Sequence, residues 1–154
     1  MLSWARDCAQ GSEQWDLLEL YCGNGNFSIA LADKFRRVFA TEISKTSVRA
    51  ANDNKEMNGI GNVSFAKVSA EEFTAHMSGE RLRQRLKDMK LEEANFGTVL
   101  VDPPRSGLDE DSCKMISQYA NIVYISCNPE TLEQNLKVLS ETHEIQHFAL
   151  FDQF

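Results

Sequence analysis

DLLELYCGNGNFS, residues 16–28, decides the fold of this chain. Leu17, Leu18 and Leu20 are typical of a buried strand, although the acidic Glu19 lies among them. The glycines that follow predict a tight turn before a helix from about Phe27. In open α/β sheets, a nucleotide-like ligand lies in the crevice at the carboxyl end of the first strand. Glycine suits this turn because it adopts positive φ angles and lets the backbone approach a ligand closely. We therefore predict that Gly23 and Gly25 contact a bound cofactor.

The spacing within this turn separates two kinds of cofactor. A dinucleotide-binding turn has the pattern G-x-G-x-x-G/A, whereas Ser28 occupies the third small position here. A glycine at that position matters most where the helix packs closely beneath a pyrophosphate. A cofactor without phosphate, such as S-adenosylmethionine, relaxes this requirement. The turn by itself also fits a plain strand–turn–helix corner with no ligand, and that alternative stays open at this point.

The composition is that of an ordinary globular domain. The chain has 154 residues, of which 42% are hydrophobic and 25% are charged, which is enough for one domain with a sizeable core. No apolar run reaches the length of a membrane span, and the first ten residues contain no apolar core of a signal peptide. We therefore expect a cytoplasmic protein that does not bind to a membrane.

The four cysteines do not have the spacing of a metal site. No C-x-x-C pair is present, so zinc and iron–sulfur sites are disfavoured and no metal is expected. Reduced cytosolic thiols fit this arrangement better than a disulfide framework does.

The net charge of −7 is unusual for a module that holds nucleic acid through its phosphates. The dense positive run in residues 80–90 fits a solvated face of an amphipathic helix, or alternatively a phosphate contact. If the substrate is nucleic acid, much of the binding surface must therefore come from elsewhere.

Strand-like and helical segments alternate along the whole chain. The spacing of Ser69 and Glu72 is that of a capping box, so one of the helices is expected to begin there. This alternation is typical of a Rossmann-like, doubly wound α/β fold with a mostly parallel sheet. We expect residues 1–154 to form a single domain, truncated at its C-terminus because no element caps the last strand. The predicted strands are residues 16–21, 38–42, 63–68, 96–101, 122–126 and 145–151.

Chemistry-bearing residues follow three of the predicted strands. Glu42 follows the second strand, seventeen positions after Gly25, where an acidic residue accepts hydrogen bonds from ribose hydroxyls. DPPR (102–105) follows the fourth strand, and SCNP (126–129) follows the fifth. The carboxyl ends of parallel strands share one edge of a sheet, so we expect these residues and the glycine turn to face one crevice.

Cys127 is the cysteine that this placement favours as a nucleophile. It follows a buried strand, precedes a helix and lies on the cofactor side of the predicted sheet. A free thiol is partly ionised at neutral pH, and the thiolate is a strong nucleophile. From position alone, a small buried hydrophobe is an equally good interpretation. Cys8, Cys22 and Cys113 are interpreted as structural.

Several segments of the chain together resemble the RNA uracil-5-methyltransferase family. The likeness runs from about residue 1 to residue 154, and the pair DPPRSGLD and SCNPETL is specific to uracil-5 methylation. The variants ELYCGNGNF and LFDQF favour the tRNA-acting branch over the ribosomal-RNA branch, which stays the alternative. The segments are LLELYCGNGNFSIALA (17–32), FATEISK (39–45), VDPPRSGLD (101–109), YISCNPETL (124–132) and ALFDQF (149–154).

The resemblance implies a class I, Rossmann-like methyltransferase that uses S-adenosylmethionine to form 5-methyluridine in the T arm of tRNA. Cys127 matches the nucleophile of the family, which adds to C6 of the uracil, and Arg105 matches a residue next to the target base. Four further residues match the family's cofactor contacts: Tyr21, Asn26, Glu42 and Asp102.

The resemblance also implies that parts of the family's chain lie outside these residues. The general base of the family is a glutamate, expected beyond Phe154, and its RNA-binding part would precede residue 1. We therefore expect the chain to be a monomer that is inactive by itself. A non-catalytic cofactor-binding fragment is one alternative. A dinucleotide-dependent oxidoreductase is another, which Ser28 disfavours.

Overall fold

The computed structural model describes residues 1–79, 84–87 and 89–152. This part contains the strands β1 (Asp16–Leu20), β2 (Arg37–Thr41), β3 (Val63–Ala66), β4 (Phe96–Val101) and β5 (Asn121–Tyr124). All pair in parallel in one sheet of order β3-β2-β1-β4-β5. Because β1 pairs with both β2 and β4, the chain builds outward from β1 in two directions. The predicted doubly wound parallel sheet is confirmed.

Helices cover both faces of this sheet. They are α1 (Leu2–Cys8), α2 (Asn26–Leu31), α3 (Lys45–Met57), α4 (Ala70–Met77), α5 (Gln84–Lys87), α6 (Glu110–Ile116) and α7 (Pro129–Leu139). Side chains alternate along β1, so Leu18 and Leu20 pack in the apolar cluster of α4, α6 and α7. Leu17 packs in the cluster of α1 and α2. Both faces are buried, as is usual for parallel strands.

Short-range capping contacts place the starts of three helices. Before α3, the Ser44 side chain accepts a hydrogen bond from Ser47 N at 3.2 Å. Before α4, Ser69 and Glu72 form the predicted capping box, in which each side chain bonds the other residue's backbone N–H at 3.1 Å. Before α7, the Asn128 side chain accepts from a backbone N–H of the first turn. These contacts satisfy N–H groups that a helix leaves unpaired at its start.

The predicted sixth strand, residues 145–151, is wrong. The structure assigns these residues to no strand, and Ile145, Phe148 and Leu150 are exposed. A strand needs a neighbour for its backbone N–H and C=O groups. Among the described residues, β5 pairs only with β4. The apolar residues of this segment favour burial but do not supply a pairing partner.

The predicted helix over residues 80–90 is described only in part. Its middle forms α5, but Met89 and Lys90 lie in a turn, and Lys90 has a φ of 50°. The helix therefore ends earlier than predicted, because a left-handed residue does not continue a right-handed helix. Residues 80–83 and 88 lie outside the described residues, so the phosphate contact of this positive run stays a prediction.

An ion pair between the buried Asp16 and the exposed Arg36 lies at the amino edge of the sheet. Asp16 accepts hydrogen bonds from Arg36 Nε at 2.9 Å and from Asn95 N at 2.8 Å. Burial acts to raise the pKa of Asp16, but these two hydrogen bonds together with the charges of Arg37 and Arg36 outweigh it and hold that pKa below its ordinary value. The functional residues predicted from the sequence all lie toward the opposite, carboxyl edge.

The described part of the chain lacks two features. No helix there is long and apolar enough to cross a membrane. The same residues include no group of three or more His, Cys, Asp or Glu side chains that could hold a metal ion.

Candidate active site

The carboxyl ends of four neighbouring strands bring the predicted site residues into one row. Along the edge, the row runs from Glu42 through the glycine turn and Asp102 to Cys127. Adjacent strands lie about 4.8 Å apart, so the strands before Glu42 and Cys127 are about 14 Å apart. Three backbone hydrogen bonds extend the pairing past the strand ends: Cys22 N to Thr41 O (3.0 Å), Asp102 N to Leu20 O (3.4 Å) and Ile125 N to Val101 O (2.8 Å).

The turn between β1 and α2 has unusual backbone angles. Tyr21, Gly23 and Gly25 have φ angles of 62°, 53° and 78°. Gly25 is the N-cap of α2, and its N–H donates to Cys22 O at 2.9 Å. The left-handed conformation costs a tyrosine about 1–2 kcal/mol, and such strain concentrates at functional sites. Tyr21 therefore shares the left-handed backbone of this turn with the two glycines.

Alanine substitutions at the two glycines are expected to have different effects. An added Cβ at Gly25 would lie 2.7 Å from Phe65 Cζ and 3.2 Å from Ala51 Cβ, whereas one at Gly23 would meet nothing within 4 Å. Both substitutions carry the backbone cost of a positive φ, about 1 kcal/mol, and only Gly25→Ala adds overlap. We expect urea unfolding to show Gly25→Ala less stable than Gly23→Ala by about 1–3 kcal/mol. Equal losses would contradict this account of the turn.

Glu42 holds the glycine turn from the neighbouring loop. Its Oε2 accepts a hydrogen bond from Gly23 N at 3.0 Å, and its Oε1 accepts one from Ser44 N at 2.7 Å. The carboxylate is therefore fixed beside the turn instead of extending into solvent. Each carboxylate oxygen has a second lone pair, so the group can still accept hydrogen bonds from two adjacent hydroxyls of a ligand.

A cavity of about 120 Å³ opens next to Tyr21 and Glu42. It extends the site toward the carboxyl end of β3, which the sequence analysis did not consider. The signal was available, because the third predicted strand ends on the same edge of the sheet as the first two. The lining residues that were missed are Thr41, Ile43, Val68, Ser69, Ala70 and Glu71.

Glu19 is a fully buried acid on β1, just before the glycine turn. Ser28 Oγ donates a hydrogen bond to its Oε2, and its Oε1 has no partner among the described residues. Burial raises the pKa of Glu19 to about 8, and the neighbouring Asp102 acts in the same direction. Glu19 therefore keeps a proton at neutral pH. Ser28, which the spacing argument treated as a missing glycine, is the hydroxyl partner of this acid.

Asp102 and Asn26 both lie outside the residues that line this cavity. Asp102 is half-buried directly after β4, and burial raises the pKa of its carboxyl. Asn26 is exposed at the start of α2 and lines an open depression beside the first residues of the chain. The structure thus brings Tyr21, Glu42 and Gly23 together, whereas Asn26 does not line their cavity.

Cys127 is exposed, whereas Cys22 and Cys113 are buried and Cys8 is half-buried. Burial raises the pKa of Cys22, and it raises the pKa of Cys113 to about 11, so both thiols stay protonated. Arg105 is also exposed, and its guanidinium has no hydrogen-bond partner within the described part of the chain. The loops of Cys127 and Arg105 touch, because Asn128 Nδ2 donates to Arg105 O at 2.9 Å.

Comparison with known proteins places the chain in a family. Residues 1–154 match the family model described as tRNA (Uracil-5-)-methyltransferase. The chain belongs to the tRNA (uracil-5-)-methyltransferase family. This membership agrees with the resemblance found in the sequence and leaves the oxidoreductase alternative without support.

Individual members of the tRNA (uracil-5-)-methyltransferase family match the whole chain. The tRNA/tmRNA (uracil-C(5))-methyltransferase of Psychromonas ingrahamii is 60% identical over 154 residues, which are 100% of this chain and 42% of that protein. The protein of the same description from Chromohalobacter salexigens is 57% identical over all of this chain and 41% of its own length. The chain thus spans about two fifths of the length of the curated relatives it matches.

Solved structures confirm the class I, Rossmann-like fold. The Pyrococcus abyssi tRNA (uracil-54, C5)-methyltransferase, solved with S-adenosyl-L-homocysteine, matches with a TM-score of 0.66 and 27% identity over 89% of this chain and 30% of that one. The Aquifex aeolicus tRNA (m1A58) methyltransferase matches with a TM-score of 0.66 and 14% identity over 91% of this chain and 51% of that one. The second likeness concerns the fold alone.

Proposed function

We propose that residues 1–154 form the S-adenosylmethionine-binding domain of a longer enzyme, a cytoplasmic, monomeric tRNA uracil-5-methyltransferase that forms 5-methyluridine in the T arm. The observation that carries this proposal is the exposed Cys127 on the same sheet edge as the cavity beside Glu42 and the glycine turn. The family, described by its action on tRNA, supports tRNA over ribosomal RNA as the substrate.

The residues around the cavity fit S-adenosylmethionine. Apolar Ile43 and Ala70 suit the adenine ring, and the fixed carboxylate of Glu42 suits the ribose diol. The buried hydroxyl of Thr41 has no hydrogen-bond partner among the described residues, which is rare unless a ligand completes the site. Asp102, next along the edge, is proposed to bind the methionine part. When bound, this cofactor supplies an electrophilic methyl group.

Cys127 supplies the nucleophile in the proposed mechanism. Its thiolate adds to C6 of the target uracil, so that the S–C6 bond forms and the electron pair of the C5–C6 double bond makes C5 nucleophilic. With the cofactor bound, C5 would take the methyl group as the bond between that methyl and its sulfur breaks, and a general base would remove the C5 proton. The electron pair left by that proton re-forms the double bond and expels the thiolate, which leaves 5-methyluridine.

Other groups complete this mechanism. The uridine must leave its stack to reach Cys127. The exposed guanidinium of Arg105, on the neighbouring loop, would stabilise the negative charge that develops on the uracil oxygens. We propose a glutamate beyond Phe154 as the general base, so that the 154 residues alone bind the cofactor without turnover.

An RNA substrate that stops the reaction half-way tests the proposal. In tRNA that contains 5-fluorouridine, a fluorine replaces the hydrogen at C5 of the uracil. A general base cannot remove this fluorine as it removes a proton, so the enzyme stays bonded to the uracil. We expect the full-length enzyme, mixed with this tRNA and S-adenosylmethionine, to form an adduct that resists denaturation on a gel. No adduct at any enzyme concentration would contradict the covalent mechanism.

A further inference from the structure

One polar side of α7 faces the loop that carries Arg105. Asn128, Thr131 and Asn135 are spaced three and four positions apart and therefore share a side of the helix. All three side chains bond to the backbone of residues 105–108, which we name the arginine loop. The mechanism derived above assigns no role to these three residues.

Four hydrogen bonds attach the arginine loop to α7. Arg105 O accepts from Asn128 Nδ2 at 2.9 Å and from Thr131 Oγ1 at 3.1 Å. Leu108 N donates to Asn135 Oδ1 at 2.9 Å, and Leu108 O accepts from Asn135 Nδ2 at 3.0 Å. Asn135 is only 9% exposed, so its amide is costly to leave unpaired. Both ends of the arginine loop are thus held by one helix.

Close packing at Gly107 keeps the arginine loop against α7. Gly107 has a φ of 74°, and an added Cβ would lie 2.7 Å from Asn135 Oδ1 and 3.0 Å from Thr131 Cβ. Its N–H donates to Pro104 O at 2.9 Å and closes a turn. The loop therefore cannot move toward the helix, and the four hydrogen bonds prevent it from moving away.

The start of the same helix also holds Cys127. The next residue, Asn128, is the N-cap of α7. Its backbone N–H donates to Ser126 Oγ at 3.1 Å, and the same hydroxyl donates to Asn128 O at 2.9 Å. Asn128 therefore connects three features: the start of α7, the nucleophile loop and the arginine loop.

We infer that Asn128 is a positioning residue, which holds Arg105 and Cys127 as one rigid unit so that the base is bound at a fixed distance from the thiolate. The inference rests on the proposed function, which supplies the uracil. A misplacement of about 1 Å between reacting groups costs about 100-fold in rate. Glu42 and the glycine turn take no part in these contacts, so cofactor binding should not depend on them.

Asn128→Asp tests the inference in the full-length enzyme. Aspartate is as good an N-cap as asparagine, but it cannot donate to Arg105 O. We expect the adduct with 5-fluorouridine tRNA to form about 10- to 100-fold more slowly. The affinity for S-adenosylmethionine and the melting temperature should stay close to those of the wild type. An adduct rate equal to the wild-type rate would overturn the positioning role.

A neutral variant and a control complete the test. The new carboxylate at position 128 also disfavours a nearby thiolate, so Thr131→Val, which removes the other donor without adding charge, should slow the adduct about 3- to 10-fold. If Asn128→Asp formed the adduct more slowly and Thr131→Val did not, the effect would be due to the added charge, and the inference would be overturned. Asn62→Asp is the control, because Asn62 Nδ2 donates to Ala32 O (2.7 Å) and Phe35 O (3.0 Å) at the amino edge.

The control separates positioning from stability. Asn62→Asp should lower the melting temperature and leave the adduct rate unchanged at temperatures where the protein is folded. If the wild type forms no adduct, the proposed function fails. If the wild type and all variants form it at one rate, only the positioning role fails.

Discussion

Cys127→Ala is expected to eliminate the covalent adduct with 5-fluorouridine tRNA and to lower methyl transfer by about 10⁴-fold or more, as removal of a covalent nucleophile commonly does. Cys127 is exposed, so its truncation leaves no cavity in the core. Stability and cofactor affinity should therefore be preserved. Denaturing gels measure the adduct, transfer of a labelled methyl group measures turnover, and calorimetry measures cofactor affinity.

Cys8→Ala is the matched control for the nucleophile. Cys8 is half-buried on α1, and the proposed mechanism gives it no role. We expect this variant to form the adduct at the wild-type rate. An adduct that still forms in Cys127→Ala would show that another group attacks C6, and the mechanism would have to be abandoned.

Glu19→Gln is expected to remove a large pH dependence from the stability of the chain. The pKa of Glu19 is raised by burial from an ordinary value of 4.5 to about 8. Between these values, the folded chain keeps a proton that the unfolded chain has lost. The free energy of unfolding therefore falls as the pH rises, by about 1.4 kcal/mol per pH unit. The total loss up to pH 8 is on the order of 5 kcal/mol.

Urea unfolding at pH 5 and pH 8 measures this effect. Glutamine has nearly the same shape, does not ionise and keeps an oxygen that can accept the Ser28 hydrogen bond. Asp102 also has a pKa raised by burial. The informative quantity is therefore the slope of the free energy of unfolding against pH, compared between the wild type and Glu19→Gln. Parallel slopes would show that Glu19 is ionised in the folded chain.

Local signals in the sequence were sufficient to predict most of the fold. Strands β1 to β5 were predicted from short apolar runs, and the start of α4 from the spacing of Ser69 and Glu72. These features depend on contacts within a few residues, so neighbouring positions carry the information. The glycine turn was predictable for the same reason, because its shape depends on Gly23 and Gly25 themselves.

Features that depend on contacts between residues far apart in the sequence were predicted less well. Residues 145–151 are rich in apolar residues, as a buried strand is, but a strand forms only beside another strand. The cavity wall at Ile43 and Ala70 was missed because it combines the loop after β2 with the start of α4, which follows β3. The ion pair of Asp16 with Arg36 and the contact of Asn128 with Arg105 likewise join residues that the sequence does not mark as neighbours.

The sequence by itself determined the family, the parallel α/β fold and the identity of the candidate nucleophile, Cys127, because motifs and periodicity are properties of short stretches. Only the tertiary structure decided that burial raises the pKa of Glu19 and that Asn128 connects the loop of Cys127 to the arginine loop. The physical reason is that a pKa and a hydrogen bond depend on burial and on the distance between atoms. Both arise only when separate segments of the chain pack together.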